Sequence, residues 1–167
     1  MDSVARLATG TDLNDVLALY RELRPQDPVL SAEIARSSFG AILQRDDVAI
    51  VVLECDGALT ATCMLAILPN LASGARPFGV IEHVVTLRAF RRRGYARQVL
   101  EHALNLAWSR QCYKVMLLSG AGRTEAHRLY EAVGFNGSVE RGFVVKADRG
   151  AWQIGAACFI EPRRGEA

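Results

Sequence analysis

The segment "FGVIEHVVTLRAFRRRGYARQVLEHALNLAWSR", Phe78 to Arg110, limits the possible folds more than any other stretch. An apolar strand-length run passes through a short basic loop with one glycine into an amphipathic helix. There Ala96, Val99, Leu100, Ala103, Leu106 and Ala107 recur at helical spacing. A strand feeding a helix in this way needs a neighbouring parallel strand on which the helix can close. "CYKVMLLSG" supplies that strand, and "TEAHRLYEAV" a second, shorter helix closed by Gly134. Two features of the segment are costly. Glu82 and His83 sit inside a strand that reads as buried on both faces. Three consecutive arginines precede a helix whose dipole favours anions at that end. Both costs are offset if the segment holds a large anionic ligand beside a proton-transfer site.

The rest of the chain fits one α/β domain over residues 1–167. "SVARLAT" alternates as a first strand, and Thr11 or Asp12 can cap a helix over "LNDVLALYREL". "RPQDP" breaks that helix, and Ser31 caps another. "DVAIVVLE" and "ALTATCMLAIL" are strands joined at Asp56-Gly57, a hairpin turn signal. "GFVVKA" reads as a late strand, and part of the terminal "AWQIGAACFIEPRRGEA" as another. The resulting order, β-α-α-β-β-β-α-β-α-β, predicts a mixed central sheet with helices on both faces. Half of the residues are hydrophobic and 23% are charged, enough for a substantial core. The net charge of +2 is too small to mark a nucleic-acid protein. "MDSVARLATG" lacks the apolar core of a signal peptide, and no apolar run reaches membrane-span length. Cys55, Cys63, Cys112 and Cys158 are scattered, without metal-binding or disulfide spacing, and read as buried free thiols of a cytoplasmic protein.

At Arg91-Arg92-Arg93-Gly94-Tyr95-Ala96 the first helical N–H groups lack partners within the helix and form an anion site. Gly94 and Ala96 keep side-chain bulk away from it, and the arginines add charge-assisted contacts. A pyrophosphate fits such a site. The pattern matches neither the triphosphatase nor the dinucleotide glycine motif. On these residues alone, a solvated arginine cluster at a helix start stays open as the simpler reading.

Arg91-x-x-Gly94-x-Ala96 resembles the Gln/Arg-x-x-Gly-x-Gly/Ala signature of the GNAT superfamily of N-acetyltransferases. The resemblance extends over roughly Gly79 to Phe135, through "VIEHVVTLRAFRRRGYARQVLEHALNLAWSRQCYKVMLLSG" and "AHRLYEAVGF", and the opening strand and helix share it. "IEHVVT" and "CYKVMLL" are most similar to bacterial small-molecule acetyltransferases and glucosamine-6-phosphate N-acetyltransferase. The resemblance implies the GNAT acyl-CoA N-acyltransferase fold and acetyl-CoA as co-substrate, with no metal. It implies that the pantetheine arm pairs with the backbone of Val84, Val85 and Thr86. The pyrophosphate would lie on the amides of Arg92, Arg93, Gly94, Tyr95, Ala96 and Arg97, with Arg91 at the rim. Ahead of the last helix the chain departs from the family, with "GAGRTEAH" where an asparagine is common.

Acetyl transfer needs a neutral amine. Deprotonating an alkylammonium of pKa about 10 at neutral pH costs roughly 4 kcal/mol, so the site needs a proton acceptor. Regular alternation places Glu82 on the face of Val84 and His83 on the opposite face. Glu82 is the candidate base, water relay or acceptor ligand, and a glutamate on this strand is the base in several branches of the family. His83 reads as a hydrogen-bonded core residue, and His102 and His127 as surface residues. Tyr130 falls at the family's general-acid position, although its spacing alone favours helix packing. The amide of Val84 or Val85 would face the developing oxyanion. The acceptor pocket is expected from the first two helices, the loop "LPNLASGARPF" and the chain after Gly134, with Arg24, Arg76, Arg141 and Phe143 as candidates. The expected partner is a small-molecule amine, with no nucleic acid or membrane, and a homodimer is left open. Three rivals remain: a protein lysine or N-terminal acetyltransferase, a non-catalytic acyl-CoA-binding module, and a nucleic-acid module built on Arg88, Arg91, Arg92, Arg93 and Arg97.

Overall fold

A computed structural model describes residues 3–146 of the chain. The elements are β1 (Ser3–Leu7), α1 (Leu13–Leu23), α2 (Ala32–Leu43), β2 (Val48–Cys55) and β3 (Ala58–Leu68), then α3 (Ala72–Ala75), β4 (Phe78–Thr86), α4 (Tyr95–Ser109), β5 (Val115–Leu117) and α5 (Thr124–Val133). The strands form one sheet in sequence order. Every pairing is antiparallel except β4 with β5, which is parallel as the two strand-to-helix units require. This is the mixed sheet expected from the sequence.

The central strands are buried on both faces, which is why they read as nearly unbroken apolar runs. Val51 and Leu53 of β2 join Leu65, Ile81, Val99 and Leu100 in the core beneath α4. Ile50 and Val52 turn the other way, to Val16, Leu19 and Phe39 of α1 and α2. Buried Thr60 and Thr62 donate their hydroxyls to the carbonyls of Leu53 and Val51, at 3.3 and 2.7 Å, so neither is left unpaired. Asp56 and Gly57 both have positive φ, 51° and 80°, as a type I′ hairpin turn demands.

Local details depart from the sequence reading. The Asp12 carboxylate accepts the backbone N–H of Thr9 at 2.7 Å, so the cap lies one 3-10 turn before α1. It also takes both Arg6 guanidinium N–H groups, at 2.7 and 2.9 Å, tying β1 to the helix entry. Ser31 caps α2 as expected, accepting the Ile34 N–H at 3.2 Å. The loop after β3 carries α3, a single turn with positive φ at Ser73, Gly74 and Ala75. Residues 142–146 of the expected late strand are irregular, and Phe143, Val144 and Val145 are exposed. The terminal segment from residue 147 lies outside the described residues, as does Cys158. The other three cysteines are buried free thiols.

Candidate active site

β4 and β5 pair only through Gly79–Val115, Val80–Met116 and Ile81–Leu117. Beyond Ile81 they part, and a cleft of about 400 Å³ opens where the sheet splits. Its walls come from the end of α1 (Leu23, Arg24), from β4 (Ile81 to Val84), and from the β5 end and α5 (Leu117, Tyr130). The sequence expectation of free strand backbone beside Val84 corresponds to this divergence.

The other edge of β4 is irregular at the same place. Thr62 of β3 faces Val85 and Met64 faces Glu82, so Cys63 alone opposes His83 and Val84. This is a β-bulge, with His83 at a left-handed φ of 56°. The extra residue resets the alternation. Ile81, 1% exposed, belongs to the core under α4, whereas Val85, 5% exposed, belongs to the core under α1 and α2. In a regular strand, residues four apart would share a face. The expectation that Glu82 shares the face of Val84 is therefore corrected. Glu82 pairs across the strand with Met64 on the α1 side, and Val84 packs toward α4. Both still line the cleft, because the split joins the two faces. His83 is corrected too. It is not a hydrogen-bonded core histidine: its ring lies 5.0 Å from that of Tyr20, it lines the cleft, and its buried Nδ1 has no partner.

After β4 the chain makes a 3-10 turn, Arg88–Phe90, and enters α4 through Gly94. Arg92 and Gly94 both have positive φ, 62° and 78°. This geometry turns successive amides toward one side, a nest suited to anions. Among the described residues, the N–H groups of residues 92 to 97 find no acceptor; the first N–H of the helix to do so is that of Gln98, bonded to Gly94. The α4 N-terminus thus offers unpaired donors where a pyrophosphate was expected. A Cβ on Gly94 would meet no protein atom within 4 Å, so within the protein itself it is the φ that calls for glycine.

The arginine side chains are mostly spoken for. Arg91 donates to Glu22 at 3.0 Å and to the Thr86 carbonyl at 3.2 Å, bracing the loop against α1. Arg92 pairs with Glu125, Arg97 with Glu101, and Arg93 lies over the Phe90 ring. Tyr95 turns inward, its hydroxyl 3.1 Å from the Cys55 sulfur, so only its amide faces the loop.

Tyr130 is 7% exposed, packs edge-on against Phe135, and lines the cleft, as Arg24 does. Burial raises its hydroxyl above the usual phenol range; Arg123 opposes the shift, while Cys63 and Glu82 add to it. It therefore carries its proton at neutral pH. Burial also raises Tyr20, and pushes the Cys63 thiol up to about 12, which makes that cysteine inert as a nucleophile. His83 moves the other way. Burial lowers its imidazole below the ordinary 6.5; Glu82 and Asp27 pull it up and Arg24 pushes it down.

Of the residues expected around the acceptor, Arg24 lines the cleft. Arg76 instead holds the carbonyls of Gln111 and Cys112, and Arg141 and Phe143 are exposed and do not line it. Arg123 and Lys146, which no sequence pattern marked, line it as well. Among the described residues no group of three or more His, Cys, Asp or Glu side chains could hold a metal ion, and no helix is long and apolar enough to cross a membrane.

The model of the acetyltransferase (GNAT) family matches residues 14–135. The chain belongs to this family. GNAT proteins use acetyl-CoA, and this one is an acetyl-CoA-dependent N-acetyltransferase acting on amines. A glucosamine 6-phosphate N-acetyltransferase from Trypanosoma brucei brucei is 27% identical over 138 residues, covering 81% of this chain and 90% of that one. A candidate acetyltransferase structure from Agrobacterium tumefaciens strain C58 is 42% identical with a TM-score of 0.82, covering 86% of this chain and 99% of the other. An aminoglycoside N-acetyltransferase in complex with CoA shares the GNAT fold at 22% identity and a TM-score of 0.73, covering 87% of this chain and 95% of its own.

Proposed function

We propose that the protein transfers the acetyl group of acetyl-CoA directly to a primary amine of a small molecule, with Glu82 and Tyr130 serving the two proton movements. The observation that carries this reading is the cleft at the β4–β5 split, where Glu82 and Tyr130 line one space with the unpaired edge of β4 between them. The amides of residues 92 to 97 bind the pyrophosphate, with Arg91 setting the loop, and the backbone of Val84, Val85 and Thr86 receives the pantetheine arm. Glu82 draws the acceptor's ammonium by its charge and is the exit for its proton. The neutral amine then attacks the thioester carbon, and the amide of Val84 or Val85 faces the oxyanion. As the C–S bond breaks, Tyr130 gives its proton to the sulfur. A free thiol has a pKa of about 8.5, and burial raises it, which narrows the gap to a raised phenol.

Arg24, Arg123 and Lys146 around the cleft favour an acceptor that also carries a phosphate or carboxylate, as the substrate of the trypanosomal relative does, over a polycation. The same cations disfavour a lysine-rich protein substrate. A nucleic-acid surface is disfavoured because Arg91, Arg92 and Arg97 are paired with carboxylates.

The test has two steps. Acetyl-CoA should raise the melting temperature, and free-thiol release should then be followed across amines in matched pairs, glucosamine against glucosamine 6-phosphate among them. The anionic member should be the faster. Absence of a thermal shift with acetyl-CoA would sink the reading.

A further inference from the structure

Two buried polar atoms on the α1 side of the sheet, one of them on a residue that lines the cleft, are left over by this mechanism. His83 Nδ1 and the Tyr20 hydroxyl have no partner, yet their rings are 5.0 Å apart. The bulge sets His83 here, since a left-handed φ turns its side chain from the expected core face toward α1 and the cleft. Of the two ring nitrogens only Nδ1 is enclosed without a partner, so Nε2 is the one open to the cleft. Each orphan suits the other. An Nδ1–H donated to the Tyr20 oxygen would satisfy both atoms, and that bond would leave Nε2 with a bare lone pair.

We propose that His83 is a catalytic residue: its Nε2 is the first acceptor of the amine's proton, and Tyr20 is the positioning residue that keeps Nε2 unprotonated. The inference rests on the acetyl-transfer reading above and divides its proton route in two. The ammonium N–H bond breaks with its electron pair staying on nitrogen, and the proton joins the Nε2 lone pair. Glu82, adjacent in the chain and exposed, holds the ammonium beforehand and then passes the proton from the imidazolium to water. Imidazole is closer in basicity to an amine than a carboxylate is, so the transfer to nitrogen is the less uphill one. The groups facing the ring are Glu82 from β4, Tyr20 from α1, and Arg24 and Asp27 just beyond α1, with Tyr130, Arg123 and Lys146 elsewhere in the cleft. Burial outweighs the two carboxylates and keeps the ring neutral above pH 6.5.

The experiment combines ring NMR with kinetics. In protein labelled with ¹⁵N at histidine, the neutral His83 ring should be the Nδ1–H form, and Tyr20→Phe should move it toward the Nε2–H form; neither reading requires an acceptor. With glucosamine 6-phosphate as the probe amine, kcat/KM should fall along an acid limb below pH 6.5. His83→Phe, which keeps a ring against Tyr20, should lower kcat/KM about 100-fold and abolish that limb. Tyr20→Phe should lower kcat several-fold while the KM for acetyl-CoA holds. An Nε2–H form in the wild type, or an acid limb retained in His83→Phe, would overturn the proposal. Failure of acetyl-CoA to shift the melting temperature would instead sink the acetyl-transfer reading, leaving the ring form as measured. An acetyl-CoA thermal shift preserved in both variants separates loss of chemistry from loss of fold.

Discussion

Tyr130 illustrates how one side chain can satisfy two demands. Its ring packs in the α4 core and the residue also lines the cleft, so helical spacing alone could not separate packing from chemistry. Tyr130→Phe keeps the ring and removes the proton. Its kcat should fall about 100-fold, with acetyl-CoA affinity and melting temperature nearly unchanged, as steady-state rates and thermal shift would show. An unchanged kcat would leave Tyr130 a packing residue. Glu82 is the opposite case, an exposed carboxylate with no packing duty. Glu82→Gln should raise the amine KM more than it lowers kcat, and added salt should weaken amine binding in the wild type but much less in the variant. Both side chains stood out as candidates in the sequence, Glu82 as a carboxylate in a buried strand and Tyr130 through the family resemblance. The bulge did not. His83 is a residue type tolerated at left-handed φ, but nothing in "IEHVV" announces an extra residue.

Elements bring these residues together, and two glycines govern them. At Gly94 the backbone φ of 78° penalises most side chains by about 1 kcal/mol, asparagine least, although no protein atom blocks a Cβ. Gly94→Asn should therefore preserve acetyl-CoA binding, Gly94→Ala weaken it, and Gly94→Glu abolish it by placing a negative charge at the phosphates. Thermal shift with acetyl-CoA reads all three, and equal shifts would remove the loop from the site. Gly79 is tight for a different reason. A Cβ there would lie 3.0 Å from Val115 and 3.1 Å from Leu65, at the first rung of the β4–β5 pairing. Gly79→Ala should destabilise the protein by about 1–3 kcal/mol in urea unfolding, because overpacking pushes apart the strands whose divergence forms the cleft. The strand-loop-helix order was readable because periodicity switches from near-continuous apolar to helical across the loop. Its arginines misled in part: spacing shows charge but not which carboxylate already occupies it.

At the scale of the whole molecule, Arg6–Asp12–Glu54 is the most enclosed ion-pair cluster among the described residues. Arg6 holds the Asp12 carboxyl down at about 2, from an ordinary 3.8. The lowered value belongs to the folded state, so the stabilisation is complete above 3.8 and is lost as pH falls from there to about 2. The amount is about 2 kcal/mol. Arg6→Met should remove it, flattening the acid end of a stability-against-pH curve measured by urea unfolding. His83 acts in a higher window. Its folded-state value lies below 6.5, so the unfolded chain takes the proton first and stability declines as pH drops below 6.5. His83→Phe should lessen that decline.

Class, the element order through α5 and the candidacy of the arginine loop, Glu82 and Tyr130 followed from local sequence, because propensity, periodicity and motif spacing act over a few residues at a time. The partners of those residues did not. The reset of strand faces at His83, the capture of Arg91 by Glu22 and the entry of Arg123 and Lys146 into the cleft all join positions distant in the chain. Such pairings exist only once packing has chosen which surfaces meet, and no local pattern encodes that choice.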